Sequence, residues 1–178
     1  ELASRALRRK GFYLVAPFHE SFRRMIDKDP DLLEKTGLAP HRVGGPQDAH
    51  AGTNETSLML AAFPEKVREV WKELGPGKES PMKAGPRLLE AAGRLLGAAG
   101  AKDAATDMHF LAHGLAWVSD PQMAPYQGTP SEADAASGEA MLDYRAELGA
   151  ELLEEALDGR ARKLKPIGWS IRMFRDLV

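Results

Sequence analysis

The first part of the chain joins a helical pattern to a short apolar run. Residues 1–10 have amphipathic helical spacing, and Gly11 is typical of a helix stop. The apolar run at residues 12–18 then predicts a buried strand. Because helix, glycine and strand form the second half of a β-α-β unit, we expect a mostly parallel sheet. Partial helical spacing at residues 21–35 precedes a Gly/Pro-broken loop at residues 40–47.

The middle of the chain predicts two consecutive helices. Asn54 is a suitable N-cap for a helix that begins at Glu55. Residues Leu58 to Phe63 are apolar on all sides, which is typical of a buried helix. Pro64 suits the first turn of a second helix, which Gly75 ends. The apolar stripe of this second helix comprises Val67, Val70, Trp71 and Leu74.

A loop at residues 75–85 leads to another helical pattern that Pro86 opens. The expected apolar face comprises Leu88, Ala92, Leu95, Leu96 and Ala99. Gly93 and Gly97 weaken this helix but would permit close packing. Residues 106–118 fit either a strand or a helix, and residues 120–128 form a loop.

The last long helix has the clearest start and stop. Thr129 as N-cap, Pro130 at the first position and Glu132 three residues after the cap form a capping box, and Gly159 stops the helix. Its apolar stripe comprises Met141, Tyr144, Leu148 and Leu152. The tail at residues 166–178 is apolar enough to dock on the rest of the protein.

Composition narrows the class of protein. With 178 residues the chain fits a single domain spanning 1–178, and its net charge of −2 gives no reason to expect a nucleic-acid partner. No apolar run approaches the roughly 18 residues of a membrane span, so a cytoplasmic location is the default expectation. The absence of cysteine means that any metal must be held by His, Asp and Glu. The helical pattern already under way at Glu1 predicts that the protein begins upstream.

One segment concentrates residues that can do chemistry. Asp48, His50 and Glu55 fall within eight residues beside Gly52, which permits a sharp turn. Histidine suits proton transfer near neutral pH, and a His/Asp/Glu cluster suits a hard or borderline metal. The alternative interpretation is structural: a turn aspartate, a half-buried histidine and a first-turn helix carboxylate.

The same segment resembles a known family. The pattern Asp48-x-His50-Ala51-Gly52-x-x-Glu55-Thr56-Ser57 resembles the second signature of the creatininase family. A second stretch, Tyr126-x-Gly128-x-Pro130-x-x-Ala133 followed by Gly138 to Leu142, is similar to the family's segment before its last helix. The order of the two stretches and the gap between them also fit, so the resemblance covers essentially the whole chain.

The resemblance implies an α/β fold, specifically a three-layer α/β/α sandwich, and a homo-oligomer that is a hexamer. It implies hydrolysis of a small-molecule amide or cyclic C–N bond with divalent metals, two per complete site, of the zinc, manganese or iron kind. Carried over by position, His50 would transfer a proton at the scissile amide, Asp48 would orient His50 or a substrate nitrogen, and Glu55 would be a metal ligand or a neighbour of one.

The sequence also departs from the family. The upstream Glu-x-His, bridging Asp and Asn-Gly-His motifs, which supply most metal ligands, are absent from these 178 residues. The expected chain is thus the C-terminal part of the domain, with the N-terminal part missing. The alternative function is an inert fragment or degenerate member that acts only as an oligomer-forming protein.

Two further groups of residues, each with a histidine, are weaker candidates. His109 and His113 stand four apart, a spacing that places two metal ligands on one helix face. His19 and Glu20 follow the expected strand, where ligands of parallel sheets gather. Trp117 is more typical of a core or interface than of a substrate platform.

Overall fold

The computed structural model describes residues 6–39, 48, 50–160 and 162, and these residues are largely helical. Residues 6–8 are helical, and the longer helices are α1 Pro17–Ile26, α2 Pro30–Thr36, α3 Thr53–Ala62, α4 Ala84–Ala98, α5 Lys102–Val118 and α6 Ala135–Leu157. Short 3₁₀ segments occupy Pro64–Lys66, Glu69–Glu73 and Pro130–Glu132. No strand lies within the described ranges, so the parallel sheet stays a prediction. The loop at 40–47 and the tail at 166–178 lie outside the described residues.

The strand predicted at residues 12–18 is wrong. Residues 12–16 have no regular secondary structure, and Pro17 and Phe18 begin α1. Proline fits the first turn of a helix because its missing N–H would have no partner there. Among the described residues no neighbouring strand pairs with this segment, and Phe12 and Phe18 are 63% and 71% exposed. The stop at Gly11 is confirmed by its φ of +80°.

The hydrophobic core lies on α6, against which α1, α2 and α3 pack. Its buried members are Leu32, Leu38, Met141, Tyr144 and Leu148. The stripe predicted for the last helix is therefore confirmed, with Leu152 partly buried beside it. Helices α3 and α6 approach so closely that a Cβ added at Gly138 would lie 2.0 Å from the Ser57 carbonyl oxygen.

Helices α4 and α5 form a second packing unit, a helical hairpin joined by residues 99–101. Residues 106–118, ambiguous in sequence, are helical throughout. Gly93 permits close packing as expected, since a Cβ there would lie 3.1 Å from the Met108 Cβ. The apolar face predicted for α4 is not fully buried, because Leu88 and Leu95 are 72% and 74% exposed.

Two predicted helix starts need correction. The helix expected from Pro64 is broken into two 3₁₀ segments, because Val67 between them adopts an extended backbone. The last helix begins at Ala135, and its cap is Asp134, whose carboxylate accepts hydrogen bonds from the Ser137 backbone N–H and hydroxyl, each at 2.7 Å. Residues 130–132 form a separate 3₁₀ turn, so the capping box expected from Thr129 does not cap this helix.

The contacts of Glu20 are ion pairs that stabilise the fold rather than those of a ligand-binding site. Its carboxylate lies 2.7 Å from an Arg23 guanidinium nitrogen and 3.3 Å from Arg24 Nε. The hydrogen bond from Arg23 holds the pKa of Glu20 near 2. Arg24 also donates to the Tyr144 hydroxyl at 2.7 Å, which ties α1 to α6. The pair His19-Glu20 is thus part of a helix and not the end of a strand.

Candidate functional site

The segment before α3 is held by a carboxylate cap. Asp48 Oδ1 accepts a hydrogen bond from the Thr53 N–H at 2.6 Å, and Oδ2 accepts one from the Asn54 N–H at 3.1 Å. These are first-turn amides that have no partner within the helix. Asp48 therefore performs the capping predicted for Asn54, which instead lies buried inside the first turn.

A sharp turn brings Asp48 back to the helix. Ala51 has a φ of +47°, in the left-handed region, and its N–H donates to Glu55 Oε2 at 2.6 Å. A Cβ added at Gly52 would lie 2.0 Å from Asp48 Oδ1 and 2.1 Å from the Gln127 carbonyl oxygen. Only glycine fits this close approach, which explains why Gly52 occupies this position of the turn.

His50 stands exposed at the outer edge of this turn. Its ring stacks on Trp117 of α5, with ring centroids 4.9 Å apart and ring planes 23° apart. The His50 carbonyl accepts a hydrogen bond from the Gln127 N–H at 2.7 Å. Trp117 is itself fixed by its Nε1 donating to the Ala124 carbonyl at 3.1 Å. The imidazole is therefore accessible and oriented by a neighbouring aromatic ring.

A cavity of about 220 Å³ lies beside Trp117, which forms part of its wall. Its walls come from Trp117 and His113 of α5, the loop at residues 76–80 with Met82, and residues 127–129. The Gly77 N–H donates to the Gly128 carbonyl at 2.7 Å, which joins the two loops. Residues 127–129, which belong to the second family-like stretch, therefore line the same cavity as Trp117, on which His50 stacks.

A third group of polar side chains lies on the α4–α5 hairpin. His109 Nδ1 is 2.8 Å from Glu90 Oε2, and the rings of His109 and His113 have centroids 4.4 Å apart. One ligand atom from each of these three residues lies within 4.8 Å of the others. The hydrogen bond to His109 lowers the pKa of Glu90, and burial lowers the pKa of His113, which also lines the cavity.

The structure groups the sequence candidates in two sets. Asp48, His50 and Glu55 share one turn. His109 and His113 share one face of α5, and His113 also lines the cavity. Glu90 was missed by sequence reasoning. The available signal was the four-residue spacing of the histidines, but their carboxylate partner is 19 positions away from His109 on another helix.

Comparison with known proteins finds one family that matches most of this chain. The family model of creatininase, described as creatinine amidohydrolase, matches residues 3–153. The chain belongs to the creatininase family, whose members are metal-dependent amidohydrolases with an α/β-type fold. No curated protein and no solved structure matches the chain. In the described ranges no helix is long and apolar enough to span a membrane.

Proposed function

We propose that this protein is a metal-dependent amidohydrolase that hydrolyses a small-molecule amide or a cyclic C–N bond. The observation that carries the proposal is the His50 imidazole, exposed and stacked on Trp117 beside a cavity, in a chain of the creatininase family. A cavity of about 220 Å³ favours a small substrate, because sites for drug-sized ligands start at about 300 Å³.

His50 is the proposed proton-transfer residue. Cleavage of an amide needs a proton on the departing nitrogen, and histidine is the side chain best suited to deliver it near neutral pH. The Trp117 ring restricts the orientation of the imidazole without covering its exposed edge. A fixed donor orientation lowers the entropy cost of reaching the reactive geometry.

The two carboxylates have different proposed roles. Both oxygens of Asp48 accept backbone N–H bonds, which supports a role in positioning His50 through the turn. Glu55 commits Oε2 to the Ala51 N–H and could offer its other oxygen to a metal. Carboxylate and imidazole donors fit zinc, manganese or iron in a chain without cysteine. When bound, such metals polarise the scissile carbonyl and lower the pKa of a bound water.

The proposed assembly is a homo-oligomer, with the hexamer expected from the family resemblance. The exposed leucines of α4, Leu88 and Leu95, support this, because seven positions place them on one helix face. The alternative function, an inert member that acts only through oligomerisation, would use the same surface.

The test uses His50→Phe, which keeps a flat ring against Trp117 and removes the proton donor. In the metal-loaded protein, assayed with cyclic ureas, formamides and lactams, we expect kcat/KM to fall by about 10²- to 10⁴-fold. Lys66→Ala, on an exposed 3₁₀ turn, is the control and should keep wild-type turnover.

Two results would count against this proposal. Wild-type turnover in His50→Phe would remove His50 from proton transfer. A metal-loaded wild-type oligomer that turns over none of these amides would favour the inert, oligomer-forming alternative.

A further inference from the structure

Glu90, His109 and His113 converge from two helices on one point of the α4–α5 hairpin. All three side chains are half-buried. The two histidines stand one turn apart on α5, and α4 packs against that face because Gly93 lets the backbones approach. The ligand positions are thus set by the packing of two helices, which holds a constellation more firmly than a loop does.

The separations suit a first-row metal ion. Zinc binds imidazole nitrogen and carboxylate oxygen at about 2.0–2.2 Å, so tetrahedral ligand atoms lie about 3.3–3.6 Å apart. In the structure the three ligand atoms lie within 4.8 Å of one another, and the Glu90–His109 pair is at 2.8 Å. Side-chain shifts of about 1 Å would equalise these distances, within ordinary rotamer freedom.

We propose that Glu90, His109 and His113 bind one borderline divalent transition-metal ion of the Zn²⁺ or Co²⁺ class. Two imidazoles and one carboxylate are a three-ligand set that leaves a fourth position open. His113 also lines the 220 Å³ cavity, so the ion lies beside that space. The site excludes Asp48, His50 and Glu55, and its test requires no substrate, so it goes beyond the proposed function.

A salt bridge is the competing interpretation of the same contacts. Glu90 and His109 could form only an ion pair, with Arg94 adding a second, exposed contact to Glu90 at 3.5 Å. That interpretation explains the Glu90–His109 contact but gives no role to the His113 ring, 4.4 Å from His109. A metal accounts for all three side chains.

The experiment is titration of the chelator-treated, full 178-residue chain with ZnCl₂ by calorimetry, and with CoCl₂ by visible absorption. We expect the wild type to bind one equivalent more than the double variant His109→Gln/His113→Gln, in which the affinity of the hairpin site is weakened at least about 100-fold. Glu90→Gln, which replaces a proposed direct ligand, should weaken binding at least as much as loss of an outer-shell partner does, by about 10- to 100-fold. His50→Gln is the matched control, a histidine replaced in the same way outside the hairpin, and should keep that equivalent.

Circular dichroism checks the folding of the variants separately. Because glutamine is a good helix former, the spectrum should stay unchanged. Zinc should also raise the Tm of the wild type and not of the double variant. Equal zinc binding by the wild type and the double variant would overturn the proposal, as would loss of the equivalent in His50→Gln alone. No binding by the wild type would leave the Glu90–His109 contact as an ion pair and refute the metal site.

Discussion

Asp48 shows how one side chain can shape a whole segment. Its two oxygens accept the first two amides of α3, and the turn that brings it there places His50 against Trp117. A carboxylate at this position also interacts favourably with the helix dipole. The family resemblance implies a catalytic role for Asp48, whereas its contacts in the structure are those of a helix cap.

Replacing this cap should lower stability. For Asp48→Ala we expect the free energy of unfolding to fall by about 1–2 kcal/mol, because two helix amides lose their acceptor. Urea denaturation measures this, and Trp117 fluorescence should change as the His50 turn loosens. Asp134→Ala, at the cap of α6, is the control: it should lower stability comparably and leave the His50–Trp117 stacking intact.

A different outcome would assign Asp48 another role. If Asp48→Ala unfolds like the wild type while turnover is lost, the carboxylate acts on the substrate or on His50 directly, as the resemblance implied.

The sequence predicted a helix that begins at Glu55, and the structure has a helix there at Thr53–Ala62, but the predicted cap was wrong. Asn54 stands next to the helix in sequence, so it was the natural candidate. Asp48 reaches the same amides only because Ala51 has a positive φ and Gly52 lacks a Cβ. Such a reversal of the chain depends on backbone angles that side-chain patterns do not reveal.

The contact between α3 and α6 depends on one missing side chain. At Gly138 a Cβ would lie 2.0 Å from the Ser57 carbonyl oxygen and 2.9 Å from the Ala61 Cβ. Ser57 is fully buried there, and its hydroxyl accepts a hydrogen bond from the Asp134 N–H at 3.1 Å. Two helices and the cap of one of them are therefore fixed at this point.

Gly138→Ala should separate these helices. We expect a loss of about 1–3 kcal/mol in the free energy of unfolding, because the added methyl overpacks the contact. Gly149→Ala on the same helix is the control: its Cβ would meet Pro17 at an ordinary 3.6 Å, so the variant should be neutral or slightly more stable. Similar stability for both variants, measured by thermal unfolding, would contradict the close approach.

Elements with long stripes were easier to predict than short ones. The stripe of α6 spans several turns, and the predicted positions Met141, Tyr144 and Leu148 are all buried. The stripe from Val67 to Leu74 has the same spacing over two turns, and there the chain forms 3₁₀ turns instead. Short helices are marginal, so a local contact such as the Ser131 N–H bonded to the Leu74 carbonyl can decide their conformation.

The fold as a whole was only partly predictable. Family membership agrees with an α/β-type fold, while the described residues form packed helices without a strand. A strand depends on partners elsewhere in the molecule, which an apolar run at residues 12–18 cannot reveal. Glu90 was missed for the same reason, because only the pairing of α4 with α5 brings it to His109.

Exposed leucines on α4 lead to a prediction for the assembly. Leu88→Gln/Leu95→Gln should lower the molar mass measured by size-exclusion chromatography with light scattering, because it removes apolar surface from one helix face. The control is Leu153→Gln/Leu157→Gln on α6, two leucines that are 52% and 78% exposed. An unchanged mass in the first variant, or a lower mass only in the control, would contradict the proposed interface on this face of α4.

The three-residue connection at 99–101 has a consequence for how the protein reaches its structure. Helices α4 and α5 are neighbours in sequence, so their pairing closes a short loop at little entropic cost. The pairing of α3 with α6 must instead bridge that entire hairpin and the loops around it. Local contacts form faster than distant ones, so we expect the hairpin to form early in folding. Glu90, His109, His113 and Trp117 would then be assembled before the His50 turn arrives to complete the surface.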